Sequence, residues 1–202
     1  MKSRLFSVII VLAFIMPCSV SAQFGWLNFG DAVSQKAVQG EKSSVTSFNP
    51  DFEIGFRAPF DGDAAVEDWE GWIGIGFATD LRVINIDGFE WSKQKSYKCV
   101  FDLYGGPSIM LPFYDEPLVG LLINCFLGYS FSGGGLSSTT AQNARIGDFT
   151  VKINAQMLFS RFMVGVAWRP LRQHLETYSG NTLVGIDIDP AIEVRLGYLF
   201  AF

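Results

Sequence analysis

His174 is the only histidine of a 202-residue chain, and Glu176 and Ser179 lie close to it. A serine, a histidine and an acid are the parts of a hydrolytic triad, in which imidazole takes the serine proton and a carboxylate orients the imidazole. That chemistry needs the three groups held within hydrogen-bond reach. The stretch Pro170 to Pro190 reads as a long, mobile loop, so the expectation is a solvated histidine and no catalytic residue. Asp61, Asp63, Glu67, Asp68 and Glu70 crowd a second stretch. Calcium-like cations take several carboxylate oxygens, yet the glycine and terminal glutamate of an EF-hand loop are missing, which leaves a solvated acidic turn without metal. No cofactor is expected.

A third group is larger and regularly spaced. Glu53, Arg57, Asp80, Arg82, Lys98, Asp102, Asp148, Lys152, Arg169, Glu193 and Arg195 comprise five acids and six bases, and they alternate with apolar residues. Gly55, Gly74, Gly76, Gly120, Gly128, Gly165 and Gly197 share their positions in that alternation. Near-balanced charge among glycines suits a narrow polar interior, where missing side chains leave room for long salt-bridged ones.

The elements that position these charges follow from period-two hydrophobicity, the mark of a half-buried strand. In Asp148 to Phe159 the residues Phe149, Val151, Ile153, Ala155, Met157 and Phe159 occupy alternate positions; Phe162, Val164, Val166 and Trp168 do the same from Phe162 to Arg169. Only Ser160-Arg161 separate the two stretches, which predicts a tight hairpin. Phe52 to Phe60, Trp72 to Val83, Tyr97 to Ile109, Val119 to Phe131 and Ala191 to Phe202 repeat the pattern. A less regular stretch, Phe24 to Gly30, makes eight strands, and FGWLNFG fits either face. The connections Asp31–Asp51, Ile84–Ser96, Ser132–Gly147 and Pro170–Pro190 are long, and those between them are shorter. This alternation is that of an all-β, eight-stranded antiparallel up-and-down barrel with both termini at the short-turn end. Asp31–Asp51 and SGGGLSSTTAQNARIG (Ser132–Gly147) read as flexible exposed chain.

Composition narrows the class. The chain is 49% hydrophobic and 17% charged with a formal net charge of −5, which excludes a disordered chain and argues against nucleic acid as a partner. Mean hydropathy is +0.26, yet no run of about 18 apolar residues offers a membrane helix. Lys2 and Arg4, the apolar stretch Leu5 to Met16 and Val20-Ser21-Ala22 form a secretory signal, so residues 1–22 are expected to be cleaved and residues 23–202 to form the barrel domain. The mature 180 residues then carry 13 Lys+Arg against 20 Asp+Glu, net −7. A soluble barrel would put its apolar face inward. Here the other face carries the charges, so the apolar face is assigned to outer-membrane lipid, and a closed barrel satisfies every backbone group there. Aromatic residues gather at the loop ends (Tyr97, Tyr129, Phe131, Trp168) and at the turn ends (Trp72, Phe113, Tyr114, Phe159, Tyr198, Phe200, Phe202).

The mature chain therefore resembles the small eight-stranded outer-membrane β-barrel superfamily, with OmpA-like and OmpX-like membrane domains, and GYLFAF resembles the C-terminal signal of that class. The resemblance implies a bacterial outer-membrane location with periplasmic termini, and recognition of Tyr198, Phe200 and Phe202 by the β-barrel assembly machinery. It implies a non-enzymatic, structural or surface-interacting protein of the porin-family type with a plugged polar lumen. The alternatives are a narrow channel for small or apolar solutes and a lipid A-modifying enzyme, whose Ser, His and acid the His174 grouping matches in residue type only. The oligomeric state is left open.

Cys99 and Cys125 remain after signal cleavage, in a compartment that permits disulfides. Both share the outward parity of their strands. With Met110 opposite Leu118, Cys125 falls opposite Leu103 and Cys99 opposite Tyr129. That offset of four residues, roughly 13 Å along the strands, predicts two free thiols, because a disulfide needs Cα atoms within about 7 Å.

Overall fold

The computed structural model describes residues 24–33, 35–39, 42–46, 49–59, 73–85, 97–114, 118–136, 145–179 and 182–201. The expected signal segment 1–22, the acidic stretch 61–70, Trp72 and Phe202 lie outside these residues.

Eight strands close into the expected barrel: β1 (Phe24–Ala32), β4 (Pro50–Pro59), β5 (Ile73–Asn85), β6 (Tyr97–Tyr114), β7 (Val119–Leu136), β8 (Arg145–Phe159), β9 (Phe162–Arg169) and β12 (Ala191–Ala201). Each pairs antiparallel with its neighbours, and β1 closes the ring by pairing with both β4 and β12. Closure leaves the ring with no exposed strand edge. Alternation sets the faces. Leu27, Phe29, Phe52, Ile54, Leu81, Phe101, Ile109, Phe149, Val164, Val166, Trp168, Ile192, Val194 and Leu196 are exposed on the outside, whereas the alternate residues point inward and are buried. The first strand, ambiguous from sequence, turns Phe24, Trp26 and Asn28 inward.

The β8–β9 hairpin turns at Ser160-Arg161 as expected. Ser160 has φ 58°, the positive value that the first position of a type II′ turn requires and that a non-glycine residue adopts at a cost. Its N–H donates to the Leu118 carbonyl (2.6 Å), tying this turn to the preceding one.

Four expectations are corrected. First, Met110 faces Leu122 rather than Leu118, because β6 continues through Leu111 and Pro112 to Tyr114, which pairs with Val119. A register shift between Pro112 and Tyr114 accommodates the proline, which cannot donate to a ladder. Leu103 consequently pairs with Tyr129, not Cys125. The cysteines are offset by about eight residues, twice the expected distance, and both are free thiols.

Second, Asp31–Asp51 is not loose chain, for it contains the hairpin β2 (Gln35–Gln39) and β3 (Lys42–Thr46). Third, Pro170–Pro190 contains the hairpin β10 (Gln173–Ser179) and β11 (Thr182–Ile188). β10 pairs with the loop end of β8 at Leu175↔Ile146, and β11 with β2 at Ile188↔Ala37. In register these four strands carry on from the barrel, β2 and β3 from β1 and β4, β10 from β9 and β11 from β12, so the prolonged wall closes over the loop-side mouth as a lid sheet. Its inner face supplies Ala37, Leu175, Ile186 and Ile188, which pack with Ile146 and with Ile84 and Val100 of the barrel wall. Fourth, β7 runs to Leu136 and β8 begins at Arg145, so the glycine-rich Ser132–Gly147 stretch is partly strand; residues 137–144 lie outside the described set.

Candidate functional site: the lumen and its lid

Alternation carries charges inward from strands on opposite sides of the ring, so they meet across the lumen. Lys152 of β8 reaches Glu53 of β4 and Asp80 of β5, the latter at 2.5 Å. Arg169 of β9 bonds Asp51 (2.6 Å), Asp80 (2.5 Å) and Glu193, and its Nε donates to the Tyr104 hydroxyl (3.1 Å). Arg195 of β12 contacts Asp51 (2.9 Å), Glu53 (2.9 Å) and Glu193 (2.8 Å). Arg82 holds Asp102 through two nitrogens, Nε at 2.5 Å and Nη2 at 3.1 Å, and Asp102 also accepts from Ser130 and Tyr104. Trp26 Nε1 and Asn28 Nδ2 both donate to Glu53 Oε1 at 2.6 Å, and Asn28 exchanges hydrogen bonds with Gln156 across the lumen. One connected belt therefore includes side chains from all eight barrel strands. Arg82 Nη2 donates to Gln173 of β10 at 2.7 Å, which fastens the lid to the same network.

Of the eleven charges expected inside, Glu53, Asp80, Arg82, Asp102, Lys152, Arg169, Glu193 and Arg195 meet in this belt. Lys98 is buried at the loop-side end of β6. Arg57 is buried nearer the turns, its guanidinium 5.7 Å from the Phe24 ring centroid. Asp148 is a correction. It has inward parity but sits at the rim, where its carboxylate accepts from the His174 backbone N–H (2.9 Å) because β10 runs alongside β8 there.

Several belt members escaped the sequence reading. Asp51 stands at the end of the expected Asp31–Asp51 loop, yet it shares the parity of Glu53 and is fully inside. Trp26, Asn28, Tyr104, Ser130 and Gln156 carry no charge to flag them. Gln173 arrives from a segment whose pairing with the barrel is not local.

The expected polar lumen is only part of the interior. Toward the turns the interior is filled by Phe24, Trp26, Met110, Leu118, Leu122, Phe126, Leu158, Met163 and Leu199. The missing side chain of Gly55 leaves room for an indole, not for a salt bridge, since a Cβ there would collide with the Trp26 ring. Gly30 does fit the expected role, because a Cβ would lie 3.1 Å from Cγ of Arg195. From turns to loops the lumen thus runs apolar plug, ionic belt, apolar lid.

His174 lies on strand β10, not on a mobile loop. Its Nδ1 is 2.7 Å from Asp187 on the paired strand β11, and Arg172 reaches Asp189 at 2.8 Å. The acid beside the imidazole is therefore Asp187, not Glu176. Ser179 pairs with Thr182 at the far end of the hairpin, five residues from His174 and roughly 16 Å along the strand. No three His, Cys, Asp or Glu side chains converge as a metal site among the described residues.

No protein-family model matches the chain, and no curated protein matches it. Among solved structures it is similar to the crystal structure of Ail, the attachment invasion locus protein of Yersinia pestis, at 12% identity and a TM-score of 0.39, covering 90% of this chain and 99% of that one. Ail in complex with the heparin analogue sucrose octasulfate matches at 8% identity and 0.40, with the same coverage. The backbone structure of Ail in a phospholipid bilayer nanodisc matches at 14% identity and 0.37, covering 88% and 99%.

Proposed function

We propose that the chain is an integral outer-membrane barrel, non-enzymatic and closed to solute flow, whose lid sheet forms a stable structural or surface-interaction platform. The observation that carries this reading is the inversion of the barrel. Among the described residues, the outward positions between the two aromatic ends carry no Glu, Lys or Arg and one Asp, Asp31 near the loop end of β1, while the ion pairs of the belt lie inside. An apolar surface that encircles a barrel is far larger than a soluble monomer exposes and fits lipid. Its height fits as well. Phe149 and Phe159 flank the band on β8, ten residues apart, which at about 3.3 Å per residue and a tilt near 40° gives roughly 25 Å.

The same proposal places the termini on the periplasmic side and makes lipid and the assembly machinery the partners, the latter reading Tyr198, Phe200 and Phe202. Support for a plugged lumen comes from its three layers, and eight strands enclose a space that side chains fill. The wide spacing of His174 and Ser179 weighs against lipid hydrolysis. A surface partner would meet the outer face of the lid, where His174 and Glu176 are exposed.

The test uses purified chain refolded into liposomes. It should float with vesicles after an alkaline wash and give no conductance steps above background in planar bilayers. Recovery apart from the vesicles would overturn the membrane assignment, and discrete steps would overturn the closed lumen in favour of the channel.

A further inference from the structure

Ser108, Asn124 and Asn154 occupy facing register positions on three neighbouring strands, Ser108 opposite Asn124 and Asn124 opposite Asn154. All three point into the lumen and are completely buried. The belt does not use them. Ser108 Oγ and both side-chain polar atoms of each asparagine have no hydrogen-bond partner in the protein. Buried polar groups in folded proteins are almost always satisfied, by protein or by ordered water. Leaving five such atoms unpaired would forfeit free energy on the scale of a domain's whole net stability.

We propose that this row binds a small cluster of ordered water molecules sealed inside the barrel. A buried water makes about three hydrogen bonds, so about two or three waters would meet the needs of one hydroxyl and two amides. The chemistry favours water over an ion. The row itself carries no charge, and the nearest cation along β8, Lys152, two residues from Asn154 on the same face, is already paired with Glu53 and Asp80. The ionic belt lies toward the loops, with the lid above it, and Met110, Leu122, Leu158 and Met163 lie toward the turns. Water held between those layers leaves only when the barrel breathes, so its residence time greatly exceeds that of surface hydration. The cluster also explains three uncharged polar residues beside the apolar packing of the turn-side lumen.

The test is solution NMR of the full barrel in nanodiscs, with ¹⁵N-asparagine labelling and side-chain amides assigned through their own Cβ correlations. The amide protons of Asn124 and Asn154 should show cross-relaxation to the water resonance with the sign of a long-lived complex. Amides that show no cross-relaxation to water, or that show hydrogen-bond couplings to each other in its place, would overturn the proposal.

Discussion

Arg169 is the residue at which the belt is most vulnerable, because one guanidinium serves Asp51, Asp80, Glu193 and the Tyr104 hydroxyl. Arg169→Met keeps most of the buried volume and removes the charge. The belt would then hold Arg82, Lys152 and Arg195 against Asp51, Glu53, Asp80, Asp102 and Glu193. None of these carboxylates could recover its loss from water, since all are buried. Breaking a buried pair by deleting one partner costs about 3–5 kcal/mol, and that is the expected fall in stability. Arg169→Lys restores the charge but not the planar fork that bonds several oxygens at once, so a loss of about 1–3 kcal/mol is expected, the scale of one charge-assisted hydrogen bond. Arg172→Met is the control. This side chain is 60% exposed where it pairs with Asp189, and such surface pairs contribute about 0–1 kcal/mol. Urea unfolding from lipid vesicles, shown to be reversible and followed by tryptophan fluorescence, gives all three values. Arg169→Met within about 1 kcal/mol of the parent chain at unchanged denaturant slope, or no worse than Arg172→Met, would refute the idea that the belt acts as one network.

Three further outcomes follow from the geometry. Ile153 faces outward between Cys125 and Trp168, so Ile153→Lys should cost roughly 2–4 kcal/mol in the same assay if that face meets lipid, and a value near zero would place the face in water. Cys99 and Cys125 should both react with a maleimide when the chain is unfolded without reductant, and a mass ~2 Da below the reduced chain, the two hydrogens lost on bond formation, would contradict the β6–β7 register. Ser160→Gly should leave stability unchanged or raise it by about 0.5–1 kcal/mol, because glycine accepts the positive φ at little cost; a clear loss would mean that the serine side chain, not the backbone, holds that turn.

The barrel was legible because alternation is local. Each of Phe149 to Phe159 announces its face through its two neighbours, and the eight strands and their connections follow. The register between β6 and β7 was not, since Pro112 breaks the strand pattern and makes four paired residues look like turn. The polar half of the lumen could be read from charged residues of one parity, and the same rule applied two residues earlier would have found Asp51. The apolar half could not. Leu122, Phe126 and Leu158 sit on strands whose outward residues are apolar too, so composition does not separate the faces. The lid was hidden for another reason. Gly185, Ile186, Asp187 and Ile188 do alternate and pair with nearby β10, but the second partner of β11, Ala37 and Val38 of β2, is far away in sequence, and no local pattern reveals that pairing.

The lid also constrains how the exposed end of such a chain can change over generations. Where surface segments are simple loops, any position can be exchanged without consequence for the rest. Here Leu175, Ile186 and Ile188 must stay apolar to seat the sheet on Ile84 and Val100, and Gln173 must keep its amide for Arg82 and Ser130. Drift is therefore confined to every second residue, the register of His174, Glu176 and Asp187. Two lineages under pressure to alter this surface would diverge in a striped pattern, with new chemistry on one parity and a silent apolar row beside it.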